Sequence, residues 1–162
     1  MQYNNHLQSI ILSLQCPYPL TFACTRTHPD AQVPQQMTDG AAGYDLAAIT
    51  QYIIAPHDYQ LISTGLAFEI PTGFFGQIVN RSSLSVQGIQ VGTGIVDSDY
   101  RGEVKVMLYN HSNSEVRILP GARIAQLLFI PYAQPVFHEV TTDQMSQTVR
   151  GQQGFGSTNG NK

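Results

Sequence analysis

Apolar and polar residues alternate in short runs along much of the chain, the two-residue period of strands with one buried face. Leu66, Phe68 and Ile70 share one side of such a run. In another, Val104, Val106 and Leu108 oppose Glu103, Lys105 and Tyr109. Leu20 to Arg26 reads as a further β-like run, and Ile124-Ala125-Gln126-Leu127-Leu128-Phe129 as an apolar strand interrupted by one amide. Turn residues separate these runs at Asp39-Gly40, Pro56-His57-Asp58, Pro71-Thr72-Gly73, Asn110 to Ser114 and Pro120-Gly121. That rhythm predicts an all-β sandwich, barrel or jelly roll. A single short helix is predicted over Ser82 to Gln87, with Ser82 capping its first turn and Gly88 ending it in the left-handed conformation. No internal repeat is visible.

Length and composition sharpen this picture. The 162 residues suffice for one domain with its own core, and 14 glycines and 9 prolines suit many turns. Division of the chain is expected into a mobile N-terminal extension (1–18), a β domain (19–142) and a polar, Gly-rich tail (143–162) that stays flexible unless something orders it. Cys16 and Cys24 have neither C-x-x-C nor metal-ligand spacing and are read as reduced, buried thiols of an intracellular protein, cytoplasmic or nuclear. The apolar stretch Ile10 to Leu14 lacks a preceding basic region and the length of a bilayer span, so no membrane or secretory role is expected. A net charge of -3 argues against sequence-independent nucleic-acid binding, which needs a basic footprint. Yet Arg81, Arg101, Lys105, Arg117, Arg123 and Arg150 all follow residue 80, whereas the first 80 residues hold only Arg26, which leaves room for a small phosphate ligand.

Five segments carry candidate chemistry. In the tail, Arg150-Gly151-Gln152-Gln153-Gly154-Phe155-Gly156-Ser157-Thr158 combines a cation, glycines that let backbone N–H groups approach phosphate, two hydroxyls and an aromatic able to stack on a base. A plain Gly-rich linker explains it equally well. Gly92-Thr93-Gly94-Ile95-Val96-Asp97-Ser98-Asp99-Tyr100-Arg101-Gly102 sets two carboxylates beside an aromatic and an arginine. Either one carboxylate deprotonates a water for attack on a phosphoanhydride, or the segment is a hairpin with a solvated acidic turn. Asn80-Arg81-Ser82-Ser83-Leu84 opens the predicted helix and suits an anion or a simple cap. Gln126 either holds a water or bonds neighbouring backbone, and Asp45 is either a turn residue or a carboxylate near a metal. None of the five histidines has a second ligand at metal spacing.

In this order the five segments resemble the five motifs of the trimeric dUTPase family: Ala-Gly-Tyr-Asp-Leu, Arg-Ser-Ser-Leu, Gly-Ile-Val-Asp-Ser-Asp-Tyr-Arg-Gly, Arg-Ile-Ala-Gln and Arg-Gly-x-x-Gly-Phe-Gly-Ser-Thr. The likeness runs from about Leu20 to Gly160. It implies a jelly-roll subunit (a distorted β-barrel) in a homotrimer with shared active sites, hydrolysing dUTP to dUMP and pyrophosphate with Mg²⁺. By motif, Asp97 would activate the attacking water and bond the 3′-hydroxyl, Tyr100 would pack under the deoxyribose, and Gln126 would orient the water. Backbone around Gly94 would read uracil in a hairpin too tight for a thymine methyl. Arg81, Ser82 and Ser83 would hold the phosphates, and Asp45 would bond waters around Mg²⁺. Arg150, Phe155, Gly156, Ser157 and Thr158 would form a closing lid. Ser83, Gln153 and Asn159 stand where the family usually has glycine.

Two other readings compete. A dCTP deaminase shares the fold and often has Arg-Ser-Ser-Leu, but it needs a glutamate where this chain has Met107, which cannot shuttle a proton. A non-catalytic module of the same fold has no need of Asp97, Gln126 and Arg150 together.

Overall fold

The computed structural model describes residues 21–92 and 94–152. The expectations for residues 1–18, Cys16, Gln153, Phe155, Gly156, Ser157, Thr158 and Asn159 fall outside them. Ten strands form: β1 (Ala23–Arg26), β2 (Tyr44–Ala47), β3 (Tyr52–Ile54), β4 (Tyr59–Glu69), β5 (Phe74–Val79), β6 (Ile89–Val91), β7 (Ile95–Val96), β8 (Val104–Asn110), β9 (Val116–Ile118) and β10 (Arg123–Pro131). They pair antiparallel into one sheet of order β1-β4-β8-β6, a second of order β2-β10-β5-β7, and a two-stranded sheet of β3 and β9. The fold is an all-β jelly roll, with one short helix among the described residues.

The turns fall where local chemistry put them. Gly73 and Gly121 adopt φ of +91° and +77°, conformations closed to most side chains. Asp58 accepts the Tyr59 N–H at 2.8 Å in the turn before β4. Asn110, fully buried, donates to the carbonyls of Ile54, Ala55 and Ser114 and thereby holds the β8–β9 turn against the end of β3. The two large sheets enclose Leu46, Ile62, Leu66, Val106, Leu108, Ile124 and Leu127, none more than 1% exposed.

Strand β8 keeps the expected alternation, with Val104, Val106 and Leu108 buried and Lys105 and Tyr109 exposed. Strand β4 departs from it: Thr64 through Phe68 are all buried, because the 28–31 loop and Ile49 cover the face that would otherwise meet water. The helix, α1 (Ser82–Ser85), is shorter than the predicted span, and Ser82 is not its cap. Arg81, extended at φ -87° and ψ 134°, is the capping residue, since its carbonyl accepts the N–H groups of Leu84 and Ser85, both at 3.0 Å. Gly88 does take the left-handed conformation, at φ +78°. Cys24 is half-buried rather than buried, being near the sheet edge on β1. Desolvation there pushes its thiol pKa up against the opposing pull of Arg26. After Pro131 the chain runs exposed to residue 152, with a 3-10 turn at Thr142–Gln144 closed by a capping box between Thr141 and Gln144. No helix among the described residues is long and apolar enough to cross a membrane.

Candidate active site

The predicted site residues before the tail gather into two clusters. The first lies where β2, β10 and β5 run side by side, with Gln126 paired to Asp45 on one flank and to Val79 on the other. This pairing brings motif residues from three distant parts of the chain into one row. Asp45 is buried, and its carboxylate is met from three directions: by Arg81 Nε at 3.2 Å, Arg123 Nη1 at 3.2 Å and Gln126 Nε2 at 3.3 Å. A buried carboxylate needs such donors, because desolvation without them is costly. Gln126 is half-buried, and its amide donates to this carboxylate.

Arg123 is a member of this cluster that sequence reasoning did not single out, although it begins the Arg-Ile-Ala-Gln motif. A register shift between Arg123 and Ala125 interrupts the β10–β2 ladder. The Arg123 carbonyl accepts the Arg81 guanidinium at 3.1 Å, while its own guanidinium holds Asp45. Arg81 is thus aimed by both ends of one residue. Asn80 sets the approach to α1 by donating to the Ile89 carbonyl at 3.0 Å and accepting from Val91 N–H. Ser82 and Ser83 stand exposed in the first turn, where backbone N–H groups lack intrahelical acceptors. The row thus presents two cations, hydroxyls and unpaired amides, a set suited to phosphate oxygens.

The second cluster surrounds a cleft of about 500 Å³ lined by Leu61, Ile78, Gly94, Ile95, Val96, Asp97, Tyr100, Glu103, Val104 and Lys105. Its wall is the short strand β7 paired against β5. Gly94 can only be glycine, since a Cβ there would lie 2.5 Å from the Ile78 carbonyl oxygen, and the Gly94 carbonyl accepts the Ile78 N–H at 2.7 Å. A turn follows in which the Tyr100 N–H donates to the Asp97 carbonyl at 3.2 Å. Among the described residues, no hydrogen bond or ion pair engages the Asp97 carboxylate, which is exposed at the cleft. Tyr100 lies 46% exposed with its hydroxyl donating to the Glu103 carbonyl at 2.9 Å. The arrangement offers a cleft of mixed apolar and polar walls, an aromatic ring beside it and, at its rim, a carboxylate that no described residue engages.

The two clusters do not meet within one subunit. Gln126 is level with Val79 on β5, whereas Val96, next to Asp97, is level with Gly76. Asp97 is therefore four residues along β5 from Gln126, on the order of 13 Å at the usual rise of a strand. Arg150 belongs to the exposed segment after β10 and to neither cluster. Among the described residues, no three His, Cys, Asp or Glu side chains come together as a metal cage.

Comparison with known proteins agrees with both the fold and the motifs. The family model described as dUTPase matches residues 29–159. A deoxyuridine 5'-triphosphate nucleotidohydrolase of Fowlpox virus is 43% identical over 79% of this chain and 90% of its own length. One from Helicobacter hepaticus is 46% identical over 82% of this chain and 85% of its own. Among solved structures, the dUTPase of Staphylococcus bacteriophage 80alpha with dUpNHpp superposes with a TM-score of 0.80 at 25% identity, covering 85% of this chain and 98% of that one.

Proposed function

The chain belongs to the dUTPase family and hydrolyses dUTP, and we propose that it does so in a site completed by a second copy. One copy supplies the cleft with Gly94, Asp97 and Tyr100, and a neighbour supplies Arg81, Ser82, Ser83 and Gln126. The separation of Asp97 from Gln126 carries this reading. A general base must come within about 3 Å of the proton it removes, and Gln126 cannot orient the same water from the far end of β5. A homotrimer provides three such junctions by closed symmetry. Exposed apolar side chains support an assembly: Val136 and Phe137 after β10 are 97% and 92% exposed in the isolated subunit.

In this arrangement uracil enters the slot beside Gly94, whose close packing on Ile78 leaves no depth for a C5 methyl. Tyr100 lies under the deoxyribose. Asp97 takes the proton of a water aimed at the α-phosphorus, Gln126 orients that water, and pyrophosphate departs. Arg81, with the exposed Ser82 and Ser83, holds the phosphates, and Arg123 aims Arg81. The donor set fits Mg²⁺ held chiefly by substrate phosphates and water, with Asp45 reached only through water because its oxygens already face two guanidinium groups. When bound, the cation neutralises a triphosphate of about four negative charges, which lets an anionic base approach. Residues 143–162 are read as a tail that closes over the nucleotide, through Arg150, Phe155, Gly156, Ser157 and Thr158, after a β domain spanning 19–142.

Measuring pyrophosphate release from dUTP, dTTP, dCTP and UTP, with and without Mg²⁺, tests this reading. Cleavage is expected for dUTP alone and to depend on Mg²⁺. Ammonia released from dCTP as fast as dUTP turns over would point instead to deamination. Removing residues 148–162 should lower turnover by at least about tenfold, as loss of a closing segment does, while sedimentation still shows the trimer. Full activity of the shortened chain would reject the lid.

A further inference from the structure

Strand β4 has two more residues than β8 across from it. Ser63 pairs with Lys105 and Leu66 with Val104, leaving Thr64 and Gly65 in a bulge. A bulge frees ladder donors and acceptors, and a covered one must find them other partners. Gly65 adopts φ +66°, and a Cβ there would fall 2.8 to 3.0 Å from Ala31, His28 and Ile49, so the bulge is packed into place. Its carbonyl accepts the Thr27 N–H at 2.8 Å. Its N–H donates to Glu103 Oε1 at 2.9 Å, and the other Glu103 oxygen faces Lys105 Nζ at 3.6 Å. The Thr64 hydroxyl donates to the next carbonyl along, that of Val104. The start of β8 is thereby tied to the bulge through both a side chain and the backbone.

Glu103 also accepts the Tyr100 hydroxyl on its own carbonyl. The Tyr100 ring packs so closely over Gly102 that a Cβ there would lie 2.5 Å from the phenol oxygen. With nearly half its surface open, the ring has few other restraints on its tilt.

We propose that Glu103 is a positioning residue which, by fastening the Tyr100 turn to the Gly65 bulge, sets the ring that separates deoxyribose from ribose. The proposal rests on the reading of Tyr100 as the platform under the sugar. A 2′-hydroxyl is excluded by little more than the space of one oxygen, so a ring free to tilt would admit it. Glu103 lines the cleft, but in this scheme it acts through the turn and the bulge rather than on the reacting atoms.

The test compares kcat/KM for dUTP and UTP in the unaltered chain, Glu103→Ala, Glu103→Gln, Tyr100→Phe and the double variant Glu103→Ala with Tyr100→Phe. The Tyr100 ring is followed in parallel by NMR of isotope-labelled tyrosine, assigned by its loss in Tyr100→Phe. Glu103→Ala should cut the dUTP-to-UTP preference about tenfold, the low end for losing one hydrogen bond to a charged group. Glu103→Gln keeps an acceptor for Gly65 N–H and should stay within about twofold of the unaltered chain. Tyr100→Phe should fall as far as Glu103→Ala, and the double variant no further, because both changes cut one linkage. The Tyr100 signal should broaden in Glu103→Ala and recover in Glu103→Gln. Equal losses on dUTP and UTP with an unmoved signal would overturn the proposal, leaving Glu103 a partner of the bulge alone. A moved signal with an unchanged preference would keep the mechanical link and reject the sugar role of Tyr100. Should Glu103→Ala not fold, unchanged preference in Tyr100→Phe overturns the proposal by itself.

Discussion

Asp97→Asn should leave dUTP bound while pyrophosphate release slows by at least ~10²-fold, the usual scale for losing a general base. The expectation comes from what surrounds the carboxylate. It stands at the rim of the cleft with no described donor committed to it, whereas Asp45, the other carboxylate among the motifs, is held by two arginines and a glutamine. Asparagine preserves the size and the hydrogen-bonding oxygen of Asp97 but cannot take a proton at neutral pH. Substrate affinity, measured by calorimetry with a non-hydrolysable analogue, should therefore change far less than turnover, measured by pyrophosphate release. Unaltered turnover would place the base elsewhere.

Mixing two inactive variants should restore activity. Asp97→Asn spoils the cleft half of the site and Arg81→Ala the phosphate half, so each alone is expected to be nearly inactive. Dissociated and reassembled together in equal amounts, they should recover about a quarter of native activity, because in a closed ring of shared sites one junction in four draws both intact halves. No recovery after demonstrated exchange of subunits would mean that each site is built within one chain. The result would then require β5 and β7 to bring Asp97 much nearer Gln126 than their register allows.

These two experiments probe different links in the argument. The first tests chemistry assigned to one side chain. The second tests geometry imposed by strand pairing, and it holds whatever the base is. A site divided between copies would also give the apolar residues exposed beyond β10 a surface to cover them. The salt links that keep Arg81 aimed are partly buried, so they resist screening better than surface pairs.

Much of this molecule was legible from the order of its residues because the decisive causes are local. Gly73, Gly88 and Gly121 mark turns since only glycine tolerates their backbone freely, and Val104 to Leu108 announce a half-buried strand through period alone. The motif segments carried the likeness to the dUTPase family, which the family model over residues 29–159 bears out. Tertiary structure alone decided the rest. That Asp45 meets Arg81, Arg123 and Gln126 depends on contacts up to 81 residues apart, set by the register of β2, β5 and β10. Ser82 lost the capping role to Arg81 because the backbone turned one residue earlier, and β4 buried both faces because a distant loop lies over it. Local propensity acts over a few residues, whereas the placement of Asp97 far from Gln126 follows from which strands lie side by side, and no short stretch of chain encodes that.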